Sequence, residues 1–350
     1  MNLASSIVLA PLSVLYGAVT RTRLALYQRG VLKVVKLDAP VISVGNITTG
    51  GTGKTPLVEW VARALDRQDR RVSILTRGYG RENPNTRIVV SDGQRILANE
   101  VEAGDEPRLL AENLLGLAAV ISDADRFAAG QWANKEFGSD VFILDDGFQH
   151  LRLVRDLNIV TIDATNPWGG GRLLPYGRLR EPRGVLSRAD CVVITRADQA
   201  HDLDSLRSEI EKLSHHRPIF ISRMKVHGLR RLEHEFSKED YASYRSIEQP
   251  IGVFCAIGNP LAFIKQLEAE SYDLVSIQEF PDHFKYDQSD VSALVEQAKG
   301  AGAKSLITTA KDAVKLQALR FDLPCYVLEI ESVVNDEDEL LKMISAAIGK

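Results

Sequence analysis

Apolar runs of four to six residues alternate with helix-spaced apolar positions along most of this chain. The first clear run, Val41-Ile42-Ser43-Val44, predicts a strand, and it leads into a loop carrying Gly50, Gly51 and Gly53. Behind the loop, Leu57, Val58, Trp60, Val61 and Leu65 recur at helical spacing. The alternation continues with a strand over 71–77, a helix over 106–115, a strand over 118–122, a helix over 126–137 and strands over 141–144, 157–162 and 191–195. Val141-Phe142-Ile143-Leu144 has no polar position, which marks a parallel strand covered on both faces. The expectation is an α/β fold, a phosphate-loop (P-loop) doubly wound and mostly parallel sheet.

The pattern changes near Arg223, where charged and apolar residues alternate as in an extended linker or two-stranded ribbon. A second alternation begins at Ile251, with helices from Leu261 and over 291–300 and strands over 275–280, 305–309 and 325–330. It predicts a second, smaller α/β domain. The division expected is 1–37 as an amino-terminal segment, 38–222 as the nucleotide-binding domain, 223–250 as linker and 251–350 as the smaller domain.

Residues 1–20 carry no charge, and Arg21, Arg23, Arg29, Lys33 and Lys36 follow before the first acid, Asp38. A secretory signal has its basic residues ahead of the apolar stretch, so this order excludes one. Leu3 to Val19 is short for a membrane span and is interrupted by Pro11 and Gly17. The segment reads as a membrane-associated helix lying at the bilayer surface, with its basic residues on anionic headgroups. A core helix packed on the nucleotide domain is the alternative.

Composition narrows the partners. At 350 residues the chain exceeds the usual size of a single core, and a net charge of −4 argues against nucleic acid as a partner. Cys191, Cys255 and Cys325 are far apart and lie in apolar runs, so they read as buried thiols without metal-ligand spacing. Nothing in the sequence indicates an obligate protein partner.

The glycine-rich loop has the chemistry of a phosphate cradle. Converging N–H donors must approach a polyphosphate closely, and Gly50, Gly51 and Gly53 allow it because they lack a Cβ. Thr48, Thr49, Gly50, Gly51, Thr52, Gly53, Lys54 and Thr55 form the expected nucleotide site, with Lys54 on the β and γ phosphates and the Thr55 hydroxyl on Mg²⁺. Thr48 stands where the general G-x-x-x-x-G-K-[ST] pattern has its first glycine. A second Mg²⁺ partner is expected at the end of a neighbouring strand, and Asp145-Asp146 occupies that place, followed by Gly147, Phe148, Gln149 and His150.

Other polar clusters are less specific. Asp105 and Glu106 stand at the start of a predicted helix and by spacing alone read as a cap. His283 follows a strand ending at Phe280, and it gains a chemical role if the two halves bring it to a carboxylate. Arg172, Arg178 and Arg180 lie in a loop rich in glycine and proline, which suits phosphate recognition. Thr195-Arg196-Ala197-Asp198 is close to the N/T-K-x-D element that reads guanine, with arginine in place of lysine, so adenine and guanine both stay open.

Taken together, the stretch from Val44 to Pro56, Gly104-Asp105-Glu106-Pro107, Asp145-Asp146-Gly147-Phe148-Gln149-His150, Leu174 to Pro182, Gly258-Asn259-Pro260 and Asp282-His283-Phe284 resemble the tetraacyldisaccharide 4′-kinases, the lipid A 4′-kinases of Gram-negative bacteria. Pro11-Leu12-Ser13 and Leu15-Tyr16-Gly17 resemble that family's membrane segment. The resemblance implies transfer of the γ-phosphate of ATP, with Mg²⁺, to the 4′-hydroxyl of a tetraacylated glucosamine disaccharide 1-phosphate. It implies work at the cytoplasmic face of the inner membrane, as a peripheral or monotopic protein. It makes Asp105 the base toward that hydroxyl, paired with His283, places Glu106 with Asp145 or Asp146 near Mg²⁺, and is compatible with Gln149, Arg178 and Arg180 on the substrate. The loop's Thr48 belongs to the family's own pattern, whereas Phe284 stands where the family often has a second histidine. A P-loop GTPase or nucleotide-switch protein is the competing reading, and a membrane-docked ATP-binding scaffold is a third.

Overall fold

The computed structural model describes residues 3–232 and 247–349, with the side chains of the first helix described from residue 9 onward. Positions 233–246 of the expected linker lie outside the described residues. The strands are β1 (Val41–Asn46), β2 (Val72–Thr76), β3 (Ile88–Ser91), β4 (Ala118–Ser122), β5 (Val141–Asp145), β6 (Leu157–Asp163), β7 (Cys191–Thr195), β8 (Ile219–Arg231), β9 (Ile251–Cys255), β10 (Leu274–Glu279), β11 (Ser305–Thr309) and β12 (Cys325–Val334). The helices are α1 (Leu3–Gln28), α2 (Lys54–Asp66), α3 (Glu100–Ala103), α4 (Asp105–Asn113), α5 (Arg126–Phe137), α6 (Leu203–Leu213), α7 (Pro260–Ala269), α8 (Gln288–Gly300), α9 (Ala310–Ala313) and α10 (Glu337–Ile348).

All twelve strands join one sheet, in the order β10-β9-β11-β12-β8-β7-β6-β1-β5-β2-β4-β3. From β8 to β4 the pairs are parallel, and so are those from β10 to β12. Two pairs break the rule: β3 runs antiparallel to β4 at one edge, and β12 runs antiparallel to β8 in the middle. The β8 strand makes the join. Its first residues, Ile219 to Ile221, pair with β7, and Ser222 to Arg231 pair with β12. Residues 223–231 of the expected linker therefore belong to a sheet strand shared by two parallel blocks.

Local chemistry explains the element ends. Helix α5 starts where the Asp125 carboxylate accepts from the Phe127 and Ala128 amides, and it stops at Gly138, whose φ of 61° lies in the left-handed region. Helix α7 starts at Asn259, whose side chain accepts from Ala262 N, with Pro260 in the first turn where its missing N–H costs nothing. The central strands β1, β2, β4, β5, β6 and β7 are buried at every position, in keeping with helices on both faces. Burial of a side chain such as Phe142, with no exposed surface, contributes about 2–3 kcal/mol.

Helix α10 does not stay with the strands that precede it. Leu340, Ile344, Ala347 and Ile348 share a core with Ile42, Val44, Leu57 and Val61 of the phosphate-loop half. Residues 251–350 thus lie on both sides of the β8/β12 seam. Helix α1 packs through Ser13, whose hydroxyl donates to Leu173 O at 2.9 Å, and through Leu24, which joins the core under β6 and β7. Its other face is open: Leu12, Val14, Leu15 and Val19 are 46, 72, 61 and 58% exposed. Among the described residues, no helix is long and apolar enough to cross a membrane.

Candidate active site

The phosphate loop follows from how β1 ends. Asn46, fully buried, donates through Nδ2 to Thr52 Oγ1 at 2.8 Å, and that hydroxyl lies 3.0 Å from Thr161 Oγ1 on β6. Thr195 Oγ1, at the end of β7, donates to Thr52 O at 2.9 Å. Three strand ends therefore fix Thr52 in the middle of the loop. Gly53 turns the chain into α2 with φ 74°, and a Cβ there would approach Met224 Cε to 2.9 Å. The positive φ is what calls for glycine at position 53, since the Met224 methyl can move aside. The flank of the loop is held by Thr49 N, which donates to Arg178 O at 2.7 Å.

The acids expected beside a metal surround Lys54. Its Nζ is 3.6 Å from Asp146 Oδ1, and Arg180 Nη1 donates to both oxygens of Asp146 at 2.8 and 2.6 Å. Burial works against ionisation of Asp146, but Lys54 and Arg180 overcome it and hold the carboxyl down at about 2. Asp145 shows the opposite behaviour. Burial raises its proton affinity first, Glu106 and Asp146 raise it further, and the Lys54 charge with a hydrogen bond from Thr76 Oγ1 at 3.1 Å only partly offsets them. Excess negative charge packed beside a phosphate cradle is what a divalent cation would relieve. The hard oxygen donors of Thr55, Glu106, Asp145 and Asp146 suit Mg²⁺, which keeps most of its waters and takes one or two carboxylates with the phosphates. Among the described residues no group of three acids, histidines or cysteines could by itself hold a metal ion.

The second half supplies the opposite wall. His283 Nδ1 lies 2.8 Å from Asp105 Oδ2, and Asp105 Oδ1 accepts from Glu106 N at 2.9 Å. Burial alone would raise the Asp105 carboxyl, but the His283 hydrogen bond and the Lys311 charge hold it below the usual carboxylate range. The imidazole is therefore the donor in this bond. Its own proton affinity is raised, chiefly by the bond to Asp105, with burial and Lys311 pulling the other way. His283 has φ 64°, a left-handed conformation that costs a residue with a Cβ about 1–2 kcal/mol and aims the ring back over α4.

Two further contacts bring the halves together. A Cβ on Gly258 would come within 2.7 Å of Gly51 N, so the loop after β9 rests on the phosphate loop itself. Asn259 Nδ2 donates to Asp163 Oδ2 at 3.1 Å and to Thr165 Oγ1 at 2.9 Å. Between the halves is a cavity of about 190 Å³ bordered by the loop from Gly50 to Thr55, by Glu106 and Lys311, and by apolar Met224, Ile257 and Phe263. An apolar wall facing a phosphate cradle suits a purine.

Of the other expected residues, Gln149 sits beside the acids, donating to Asn46 O at 2.8 Å and lying 3.3 Å from Arg180 Nη1. Arg178 borders a neighbouring cavity together with Thr48 and Thr49, so it is apart from Arg180. Arg196 is committed to Asp163 at 2.6 Å and to Gly51 O at 2.9 Å, and Asp198 faces solvent. The Thr195–Asp198 stretch therefore braces the loop with its arginine. Sequence reading passed over Lys311, Asn46 and Thr76. Lys311 follows the apolar strand Ser305–Thr309 by two residues, and this strand-end position was the available signal.

Comparison with known proteins agrees with this geometry. Residues 5–349 match the family described as tetraacyldisaccharide-1-P 4′-kinase. The chain is 44% identical over 309 residues to the tetraacyldisaccharide 4′-kinase of Geobacter metallireducens, covering 88% of each protein. It is 37% identical over 342 residues to that of Desulfotalea psychrophila, covering 97% of each. The crystal structure of the "apo" form of LpxK from Aquifex aeolicus in complex with ATP superposes with a TM-score of 0.76, at 32% identity and over 99% of both chains.

Proposed function

Because the chain belongs to the tetraacyldisaccharide 4′-kinase family of lipid A biosynthesis, we propose a site-level account in which the Asp105–His283 pair accepts the proton of the sugar's 4′-hydroxyl. The observation that carries it is the 2.8 Å contact between a buried carboxylate and an imidazole from the opposite half of the molecule. His283 is the more exposed member of the pair, its side chain 30% exposed against 8% for Asp105, and its Nε2, 3.5 Å from Lys311 Nζ, is the ring nitrogen not turned to Asp105. Asp105 then acts by raising the basicity of the ring. This shifts the receiving atom from the carboxylate expected from sequence to its partner.

ATP fits the cavity between the halves, its phosphates on the amides of residues 50–55 and its base toward Met224, Ile257 and Phe263. The ATP named in the Aquifex aeolicus structure supports this reading. Lys54 and Thr55 hold the terminal phosphates. Mg²⁺ would be held by Thr55 with Glu106, Asp145 or Asp146, and when bound it supplies charge neutralisation for the transferring group. Arg180 keeps Asp146 ionised, and Gln149 fixes the loop beside it. Water exclusion between the halves favours the sugar alcohol over hydrolysis.

The acylated acceptor stays in the bilayer, so the enzyme must meet it there. We place the open face of α1, with Leu12, Leu15 and Val19, among acyl chains at the cytoplasmic surface of the inner membrane, as a peripheral or monotopic contact. Arg21, Arg29 and Lys33 follow on the polar side. The domain division proposed is a phosphate-loop half and a smaller half joined through β8, with α10 returning to the first.

The test is direct. Purified protein in detergent micelles, given γ-labelled ATP, Mg²⁺ and tetraacyldisaccharide 1-phosphate, should transfer label to the lipid. GTP hydrolysis that ignores the lipid, or ATP binding with no labelled lipid, would overturn the account.

A further inference from the structure

Lys311 sits in the first turn after β11 and reaches into the reaction centre. Its Nζ lies 3.1 Å from Glu106 Oε1, 3.2 Å from Asp282 Oδ1 and 3.9 Å from Asp105 Oδ2. The same nitrogen is 3.5 Å from His283 Nε2. The side chain is 16% exposed and borders the cavity that also holds Lys54 and Thr55. Three carboxylates gathered this closely repel one another strongly where water is scarce, and a shared cation removes that repulsion.

The mount of this lysine is rigid. The neighbouring Asp312 is fully buried and accepts from Ala256 N at 3.0 Å and from Thr309 Oγ1 at 2.7 Å, with Lys315 Nζ 2.8 Å away. The ends of β9 and β11 thus fix the turn from which Lys311 extends. A charge on such a platform defines a position to within a fraction of an ångström, where a surface-loop lysine would not.

We propose that Lys311 is a positioning residue for phosphoryl transfer: its ammonium binds Glu106 on one side and the Asp105–His283 pair on the other, and so holds the metal-facing acid and the proton acceptor at a fixed separation. This rests on the proposed roles of Asp105, His283 and Glu106. A lysine that merely ties the two halves together is the competing role, and the two differ in what they disturb. A tie would change stability and the binding of substrates. A positioning residue changes turnover after both substrates are bound.

The test uses the full-length protein in detergent micelles with ATP, Mg²⁺ and tetraacyldisaccharide 1-phosphate. Lys311→Met should lower kcat about 100-fold when measured at saturating ATP and lipid and well below the variant's own thermal midpoint. Lys311→Arg should keep about a tenth of parental turnover or more, and methylammonium should restore part of the turnover of Lys311→Ala. Parental kcat in Lys311→Met overturns the proposal. So does a loss of kcat that tracks a loss of thermal midpoint and is rescued by neither arginine nor methylammonium. Asp105→Ala and His283→Ala are assayed beside them. Parental turnover in those two refutes the proton-acceptor reading itself, whereas their loss of turnover with Lys311→Met intact refutes only the role of Lys311.

Discussion

His283 Nδ1 stands 2.8 Å from Asp105 Oδ2, although 178 residues separate the two along the chain. The bond crosses from the loop after β10 to the first turn of α4, so it exists only when the two blocks of the sheet are correctly arranged about β8. Its electrical consequence is mutual: Asp105 is held ionised and the imidazole is made more basic. A carboxylate in the first turn of α4 and a lone histidine become one unit.

That unit makes the first prediction. Asp105→Ala and His283→Ala should each lower kcat by about 10²- to 10⁴-fold, the usual worth of a positioned base. ATP affinity should change little, because neither side chain borders the cavity between the halves. Nucleotide titration and lipid phosphorylation, measured on the same preparations, separate the two effects. Turnover close to parental in either variant would remove that residue from the chemistry.

Lys54 has two jobs that a single substitution distinguishes. In the proposed site it contributes charge to the phosphates, and with Arg180 it keeps Asp146 ionised. Lys54→Ala should therefore lower kcat by orders of magnitude, as expected for loss of a charge clamp on the transferring group. It should also raise the Mg²⁺ concentration needed for half-maximal rate. A pure drop in rate with an unchanged Mg²⁺ requirement would contradict the coupling to Asp146.

The close approach at Gly45 yields a stability prediction. A Cβ there would lie 2.6 Å from Phe148 Cβ and 2.7 Å from Phe148 N, and both partners are in the buried core. Neither atom is the end of a flexible chain, so Gly45→Ala forces β1 and the turn after β5 apart. Overpacking of this kind costs about 1–3 kcal/mol. Denaturant unfolding should show a lower midpoint with an unchanged slope, and a midpoint equal to the parent's would show that the turn yields freely.

The parts of this molecule that could be read from sequence are those whose physics is local. The phosphate loop, Asp145 at the end of β5 and helix α2 through Leu57 declare themselves within a few residues of chain, through glycine placement and apolar periodicity. The edge strand β3 gave little signal because it is short and only half buried. Helix α10 has a clear apolar face, but nothing in that face tells which core it will join, and it joins the distant one. Pairings across the sheet were out of reach for the same reason. Spacing at Asp105 pointed to a cap, but α4 is capped by Gly104 without a side-chain bond, and Asp105 is its first residue, its Oδ1 accepting only from the adjacent Glu106 N. Its proposed part in proton transfer is legible only from the three-dimensional meeting with His283.

His150 supplies the pH dependence. Burial first, then the charges of Arg126 and Arg155, push its pKa down to about 4, and its Nε2 is buried without a hydrogen-bond partner. A histidine whose folded pKa is below its ordinary 6.5 stays neutral in the native protein while the unfolded chain takes up a proton. Its contribution is therefore fully present above about pH 6.5 and is lost as pH falls toward about 4. The loss should be on the order of 2 kcal/mol over that interval. His150→Gln should flatten the fall relative to the parent between pH 6.5 and 4.5. Parallel stability curves for the two proteins would contradict the burial-driven shift.

The open face of α1 makes the last prediction, and it turns on which side chains are free. Ser13 and Leu24 hold the helix to the protein, whereas Leu12, Val14, Leu15 and Val19 contact nothing that buries them. Each large aliphatic group placed among acyl chains contributes about 1.5–3 kcal/mol, and each nearby basic residue about 1 kcal/mol on anionic lipid. Two aliphatic residues are then enough to change partitioning by more than tenfold. Leu15→Ser with Val19→Ser should release the protein from vesicles containing anionic lipid in a flotation assay while its turnover of acceptor dispersed in detergent stays near parental. Deleting residues 1–30 should release it as well, but that also removes the Ser13 and Leu24 contacts and so cannot by itself assign the effect to the open face. The double serine variant can. If it stays on vesicles as firmly as the parent, the membrane contact lies elsewhere on the molecule, and α1 is a packing helix with an exposed apolar side.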